Sequence, residues 1–147
     1  MAPVEQEIHF CGAPGRRIAY ALVGHGPPLV LTAWWIGNVE LQWRSALFRE
    51  FVEALARDRT VVRYDAPGMG LSDPAPNGEA DLDSELAALE AVVDELGDAR
   101  AAVFGSSSGG CSAIAFAARR PDRVDRLLLY GAYADGRTVA PPECSRR

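Results

Sequence analysis

Ala101-Ala102-Val103-Phe104-Gly105-Ser106-Ser107-Ser108-Gly109 is the stretch whose reading decides the fold of this chain. Its first four residues read as a short buried strand, and Gly105 to Gly109 form a G-x-S-x-G pentapeptide. Ser112-Ala113-Ile114-Ala115-Phe116-Ala117-Ala118 behind it reads as a close-packed helix. In a strand–turn–helix of this kind the middle serine sits on a strained bend that carries its hydroxyl out at the carboxyl end of a parallel sheet. The bend leaves no room for a side chain two residues to either side, because neighbouring backbone would meet a Cβ there. Of the three serines only Ser107 has glycine at both places, so Ser107 is the candidate nucleophile. The pentapeptide alone fits an ordinary Ser/Gly loop; the strand before it and the helix after it select the elbow.

Outward from that stretch, apolar runs and punctuation alternate. Ile8 to Cys11 and Arg17 to Val23 predict two strands joined by Gly12-Ala13-Pro14-Gly15, and Leu29-Val30-Leu31 opens a third, fully buried one. Leu41, Leu47, Phe48, Phe51, Val52 and Leu55 recur at helical spacing and predict one amphipathic helix from about 41 to 57. Val61 to Tyr64 is a fourth strand. Asp81 to Leu96 gives another helix, capped by Asp83 or Asp81 and stopped at Gly97. The elbow strand is the fifth, and Val124 to Tyr130 the sixth. Strands alternating with helices imply an α/β fold with a mostly parallel sheet of about six strands and helices on both faces. Residues 8–134 make up the folded unit; 135–147 carry no periodicity and read as an irregular tail.

This order resembles the α/β-hydrolase fold superfamily, in its N-terminal part only. Tyr64-Asp65-Ala66-Pro67-Gly68-Met69-Gly70-Leu71-Ser72-Asp73 is similar to that family's D-x-x-G-x-G-x-S-D turn, and Pro121-Asp122-Arg123-Val124 to the step into its sixth strand. Arg17-Ile18-Ala19-Tyr20-Ala21 and Tyr130-Gly131-Ala132-Tyr133 look like a bacterial subgroup often fused to helix-turn-helix regulators or nucleotide cyclases. The resemblance implies the strand order 1-2-4-3-5-6. It also implies a serine hydrolase acting on esters or related acyl compounds, with Ser107 attacking the carbonyl and the backbone N–H groups of Trp35 and Ser108 forming the oxyanion hole. Where the family usually has His-Gly after the third strand, this chain has Thr32-Ala33-Trp34-Trp35-Ile36-Gly37. The two indoles there either shape an apolar acyl or aromatic pocket or plug the end of the sheet.

The family's triad runs serine, acid, histidine along the chain. Here both histidines, His9 and His25, precede Ser107. His25 lies at the entry end of the third strand, a strand length of roughly 17–20 Å from the elbow's end. His9, on the edge strand, is four strand spacings of about 4.8 Å away. A general base must come within about 3.2 Å of its proton or reach it through one water. Asp135 stands where some relatives place an alternative acid, but reads as a solvated turn residue; Asp65 and Asp73 read as bracing the glycine turn. The expectation is therefore a truncated hydrolase, weakly active or inactive. Its alternatives are a non-catalytic module that senses a small apolar ligand and a truncated gene product without activity. An unpaired sixth strand is expected to promote self-association.

Other chemistry is excluded or set aside. A net charge of −5 argues against nucleic-acid or anionic-membrane partners. Cys11, Cys111 and Cys144 have neither disulfide parity nor metal-ligand spacing, so no metal and no cofactor is expected. Gly105 to Ser112 puts Cys111 where a P-loop needs lysine, and Gly68-x-Gly70 lacks the third glycine of a dinucleotide fingerprint. Cys111, at the start of the elbow helix, either has a depressed pKa there or packs as a small apolar residue. No signal peptide or membrane span is read, and the expected location is cytoplasmic.

Overall fold

The computed structural model describes residues 5–12, 15–34, 37–75, 78 and 81–135. Ten elements follow one another: β1 (Glu7–Cys11), β2 (Ile18–Val23), β3 (Pro28–Leu31), α1 (Val39–Trp43), α2 (Ala46–Leu55), β4 (Thr60–Tyr64), α3 (Leu82–Asp94), β5 (Ala101–Ser106), α4 (Gly109–Arg119) and β6 (Val124–Tyr130). The sheet has the order β1-β2-β4-β3-β5-β6. β1 and β2 form an antiparallel hairpin, and β4, β3, β5 and β6 run parallel. The expected α/β class and strand order are both present. The tail reading, 135–147, lies outside the described residues except for Asp135.

One expectation is corrected. The single helix from 41 to 57 is two helices, broken at Arg44-Ser45. The Arg44 and Ser45 amides turn back to the carbonyls of Leu41 and Gln42, a tight i→i−3 ending. Ser45 then takes an extended conformation and starts the second helix. Serine favours helix ends over interiors because its hydroxyl competes for backbone groups, so the break falls where the composition allows it.

The sheet's two faces are closed unequally. On one, α3 and α4 seal a core of Val30, Val62, Val103, Leu86, Leu89 and Phe116, all fully buried. α3 is held at its start by a reciprocal pair in which the Ser84 amide donates to the Asp81 carboxylate and the Asp81 amide to the Ser84 hydroxyl. At its end Arg123 donates to the Val93 and Gly97 carbonyls and the Asp94 carboxylate, binding the helix to the start of β6. On the other face α2 covers Val23, Leu29, Leu31, Val61 and Ala102, but no element among the described residues covers β6. Leu128 is 43% and Tyr130 74% exposed.

Candidate functional site

Ser107 is the one non-glycine residue with positive φ among the described residues, at 52°, and it is exposed. Its amide donates to the Tyr130 carbonyl at 3.3 Å and its carbonyl accepts from the Gly110 amide at 3.1 Å. The left-handed bend is therefore held by β6 on one side and by the first turn of α4 on the other. The flanking glycines are required by contact. A Cβ on Gly105 would lie 2.6 Å from the Ala113 Cβ, and one on Gly109 would lie 2.5 Å from the Thr32 Oγ1 and 2.8 Å from the Ala33 carbonyl. Gly110 is equally confined, against Ala132.

Thr32 ties the elbow to the end of β3. Its amide donates to the Phe104 carbonyl at 3.0 Å, and its buried hydroxyl donates to the Gly109 carbonyl at 2.8 Å. Sequence reasoning passed over Thr32; the signal was a polar residue closing a fully buried strand, where its hydroxyl needs a partner. Ser108 stands at the start of α4 without a side-chain cap. The first N–H groups of a helix have no partner within it, and the Ser108 amide is one of these. Trp35, expected to give the second amide, lies outside the described residues.

The loop between β3 and α1 is braced from β4. Asp65, fully buried, accepts from the Val39 amide at 2.8 Å and from the Leu71 amide at 2.9 Å. Burial raises its pKa, against the lowering effect of those two amides and of Arg63. Gly70, at φ 49°, passes so close to this carboxylate that a Cβ would overlap it. Ser72 donates to the Asp65 carbonyl and accepts from the Ala19 amide, while Asp73 accepts from the amide and guanidinium of Arg17. The Arg17 groups hold the Asp73 carboxyl below its ordinary range. Both acids brace the turn, as their positions in the sequence imply.

Beside the elbow, between α2 and β6, lies a cavity of about 490 Å³ lined by Trp34, Leu47, Phe48, Phe51, Phe104 and Tyr130, with Ser45 and Ser106 at its margin. Trp34 meets Phe48 edge-on, with centroids 5.6 Å apart. Of the two indoles, Trp34 thus shapes an apolar pocket.

Neither histidine approaches Ser107. His9 is stacked on Tyr20 in the outer hairpin, four strands from β5. His25 is exposed in the turn before β3. Since Leu29 pairs with Ala102, His25 and Ser107 lie at opposite ends of the sheet. The described residues contain no group of three or more His, Cys, Asp or Glu able to hold a metal, and no helix long and apolar enough to cross a membrane.

The two described cysteines are both thiols of raised pKa. Cys111 donates to the Tyr133 carbonyl at 3.2 Å; burial and the charges of Glu85 and Asp135 push its pKa up, so the helix end does not activate it. Cys11 is buried, and its thiol is pushed up to about 11. It therefore forms much less thiolate near pH 8 than a free thiol does. Alkylation followed by peptide mapping is expected to leave Cys11 unmodified in the folded chain and to modify it at once in denaturant.

Comparison with known proteins agrees with this geometry. Residues 27–145 match the family model described as alpha/beta hydrolase fold. A 2-hydroxy-6-oxononadienedioate/2-hydroxy-6-oxononatrienedioate hydrolase of Cupriavidus pinatubonensis is 34% identical over 139 residues, 94% of this chain and 44% of that protein. Its counterpart in Escherichia coli K12 is 34% identical over 137 residues, 92% of this chain and 43% of the relative. Among solved structures, the epoxide hydrolase CorEH superposes with TM-score 0.76 at 30% identity, covering 90% of this chain and 44% of the other. A variant of the meta-cleavage product hydrolase CumD gives 0.71 at 30%, covering 86% and 45%. The chain thus spans less than half the length of the curated relatives it matches.

Proposed function

We propose that this chain, which belongs to the alpha/beta hydrolase fold family, supplies the nucleophile of a serine hydrolase that attacks the carbonyl of a small, largely apolar substrate. The observation that carries this reading is Ser107, exposed on a left-handed bend at the end of β5 and at the head of α4. Its hydroxyl adds to the carbonyl carbon, and the Ser108 amide, with that of Trp35, stabilises the oxyanion. The pocket lined by Trp34, Phe48, Phe51 and Phe104 takes the apolar part of the substrate. An ester is the simplest such substrate. Relatives named for oxo-dienedioates and a meta-cleavage product extend the candidates to ketone carbonyls.

The 147 residues contain no histidine able to reach Ser107, so turnover by this chain alone is low. An oxyanion hole without its base still exceeds water, but falls far short of the full arrangement. The test is labelling by a fluorophosphonate, whose phosphorus accepts the serine oxygen as fluoride leaves. Adduct mapped to Ser107 is expected, and a Ser107 left unlabelled both in this chain and in any longer version of it overturns the reading. A second reading, a module that binds a small apolar ligand without turnover, is favoured by the pocket standing beside a serine with no base. Ligand-dependent thermal stabilisation without product would single it out.

The bare edge of β6 is proposed to pair with a second copy of this chain. Leu128 and Tyr130 of this strand are exposed, as is Leu47 of α2, which shares a cavity with Tyr130, so an unpaired strand edge adjoins apolar surface. Sedimentation velocity is expected to show mass rising with concentration. Leu128→Lys with Tyr130→Lys is expected to return the chain to a monomer, and a wild type that is monomeric at every concentration rejects the pairing.

A further inference from the structure

We propose that the small cavity between the loop after β3 and strand β4 is a binding site for one monatomic anion of the halide type, held by the side-chain N–H groups of Arg63 and Trp34. Arg63 points inward from β4 and is 4% exposed. Its Nη2 donates to the Gln6 Oε1 at 2.5 Å and to the Val39 carbonyl at 3.4 Å, and its Nη1 to the Gln42 Oε1 at 3.4 Å. The rings of Phe48 and Trp43 lie 5.0 and 5.7 Å from its guanidinium carbon. All of these partners are neutral, and among the described residues no carboxylate stands within ion-pair distance of it. The nearby charge of Asp65 does not offset burial, which lowers the Arg63 pKa to about 10.

Of the four buried side-chain nitrogens without a hydrogen-bond partner among the described residues, two are here, the Arg63 Nε and the Trp34 Nε1. Both residues line a single cavity of about 20 Å³, together with Gln42, Phe48 and Tyr64. That is room for one water-sized occupant. A buried N–H without a partner is destabilising, and a buried cation without a counter-charge more so. An occupant that only accepts hydrogen bonds and carries one negative charge resolves both conditions at once. Water would take the two N–H groups, yet it brings two hydrogens of its own and no charge. The anion would also tie Trp34, just beyond the end of β3, to β4.

The test uses the full chain and bromide or chloride as the probe. Crystals grown in bromide are expected to show one anomalous peak in this cavity, within contact distance of both nitrogens. At constant ionic strength, replacing gluconate by chloride well above its dissociation constant is expected to raise the melting midpoint by about 3–5 °C. Trp34→Phe keeps an aromatic side chain and removes one donor, and is expected to weaken half-saturation by bromide about tenfold. Only water density in the cavity, identical melting in chloride and gluconate, or an unchanged bromide half-saturation in Trp34→Phe would each overturn the assignment.

Discussion

Ser107→Gly is expected to reduce fluorophosphonate labelling to background, a loss of at least about 100-fold, while making the chain more stable. The two effects have one cause. At φ 52° the serine occupies a conformation that L side chains rarely adopt, at about 1–3 kcal/mol of backbone strain. Glycine accepts that conformation freely but has more unfolded-state freedom to lose, about 0.5–1 kcal/mol. The net expectation is a gain of about 1 kcal/mol, a rise of several degrees in the midpoint by calorimetry. Ser107→Ala separates the terms: it loses the label equally, because the hydroxyl is gone, but keeps the strain and gains no stability. If Ser107→Gly melts below wild type, the bend is not strained.

Asp65→Ala carries the largest expected loss of stability. Its carboxylate is the acceptor for the buried Val39 amide and for the Leu71 amide, so alanine leaves two N–H groups unpaired at once. Each is worth about 1–3 kcal/mol when stranded, giving a total of about 3–4 kcal/mol by urea unfolding, near the upper end for a single substitution. Asp65→Asn keeps one acceptor oxygen and is expected to lose about half as much. The sign of the pH dependence follows from the direction of the shift. Because the folded pKa lies above the ordinary carboxylate value, the native state holds the proton where the unfolded chain has released it. Stability from this group is therefore full below the unfolded pKa and declines as pH rises through the folded one. In Asp65→Asn that decline is expected to disappear.

Much of this could be read from the residues, for identifiable reasons. Gly105, Ser107 and Gly109 are legible because steric exclusion leaves few alternatives, and the contacts of Gly105 and Gly109 are the collisions the pattern implies. Strand positions were legible because a parallel sheet covered on both faces concentrates apolar runs. The Arg44-Ser45 break was hidden because the apolar spacing runs straight across it; only the hydrogen bonds turning back at 44 and 45 reveal it. Arg63 was hidden differently. Within Val61-Val62-Arg63-Tyr64 an arginine looks like a solvent-facing alternation, whereas β4 lies between β2 and β3 and buries it. A charged residue in an otherwise apolar interior strand is the signal that was available.

The Thr32 latch has a consequence for when the chain becomes competent. It joins residues 77 apart in sequence, and the bond from its amide spans 72. Contacts between such distant positions come late, since the entropy of closing the intervening loop is lost before they repay it. A nascent or half-collapsed polypeptide would therefore hold the serine as ordinary chain, and its left-handed bend would arrive only with completed tertiary order.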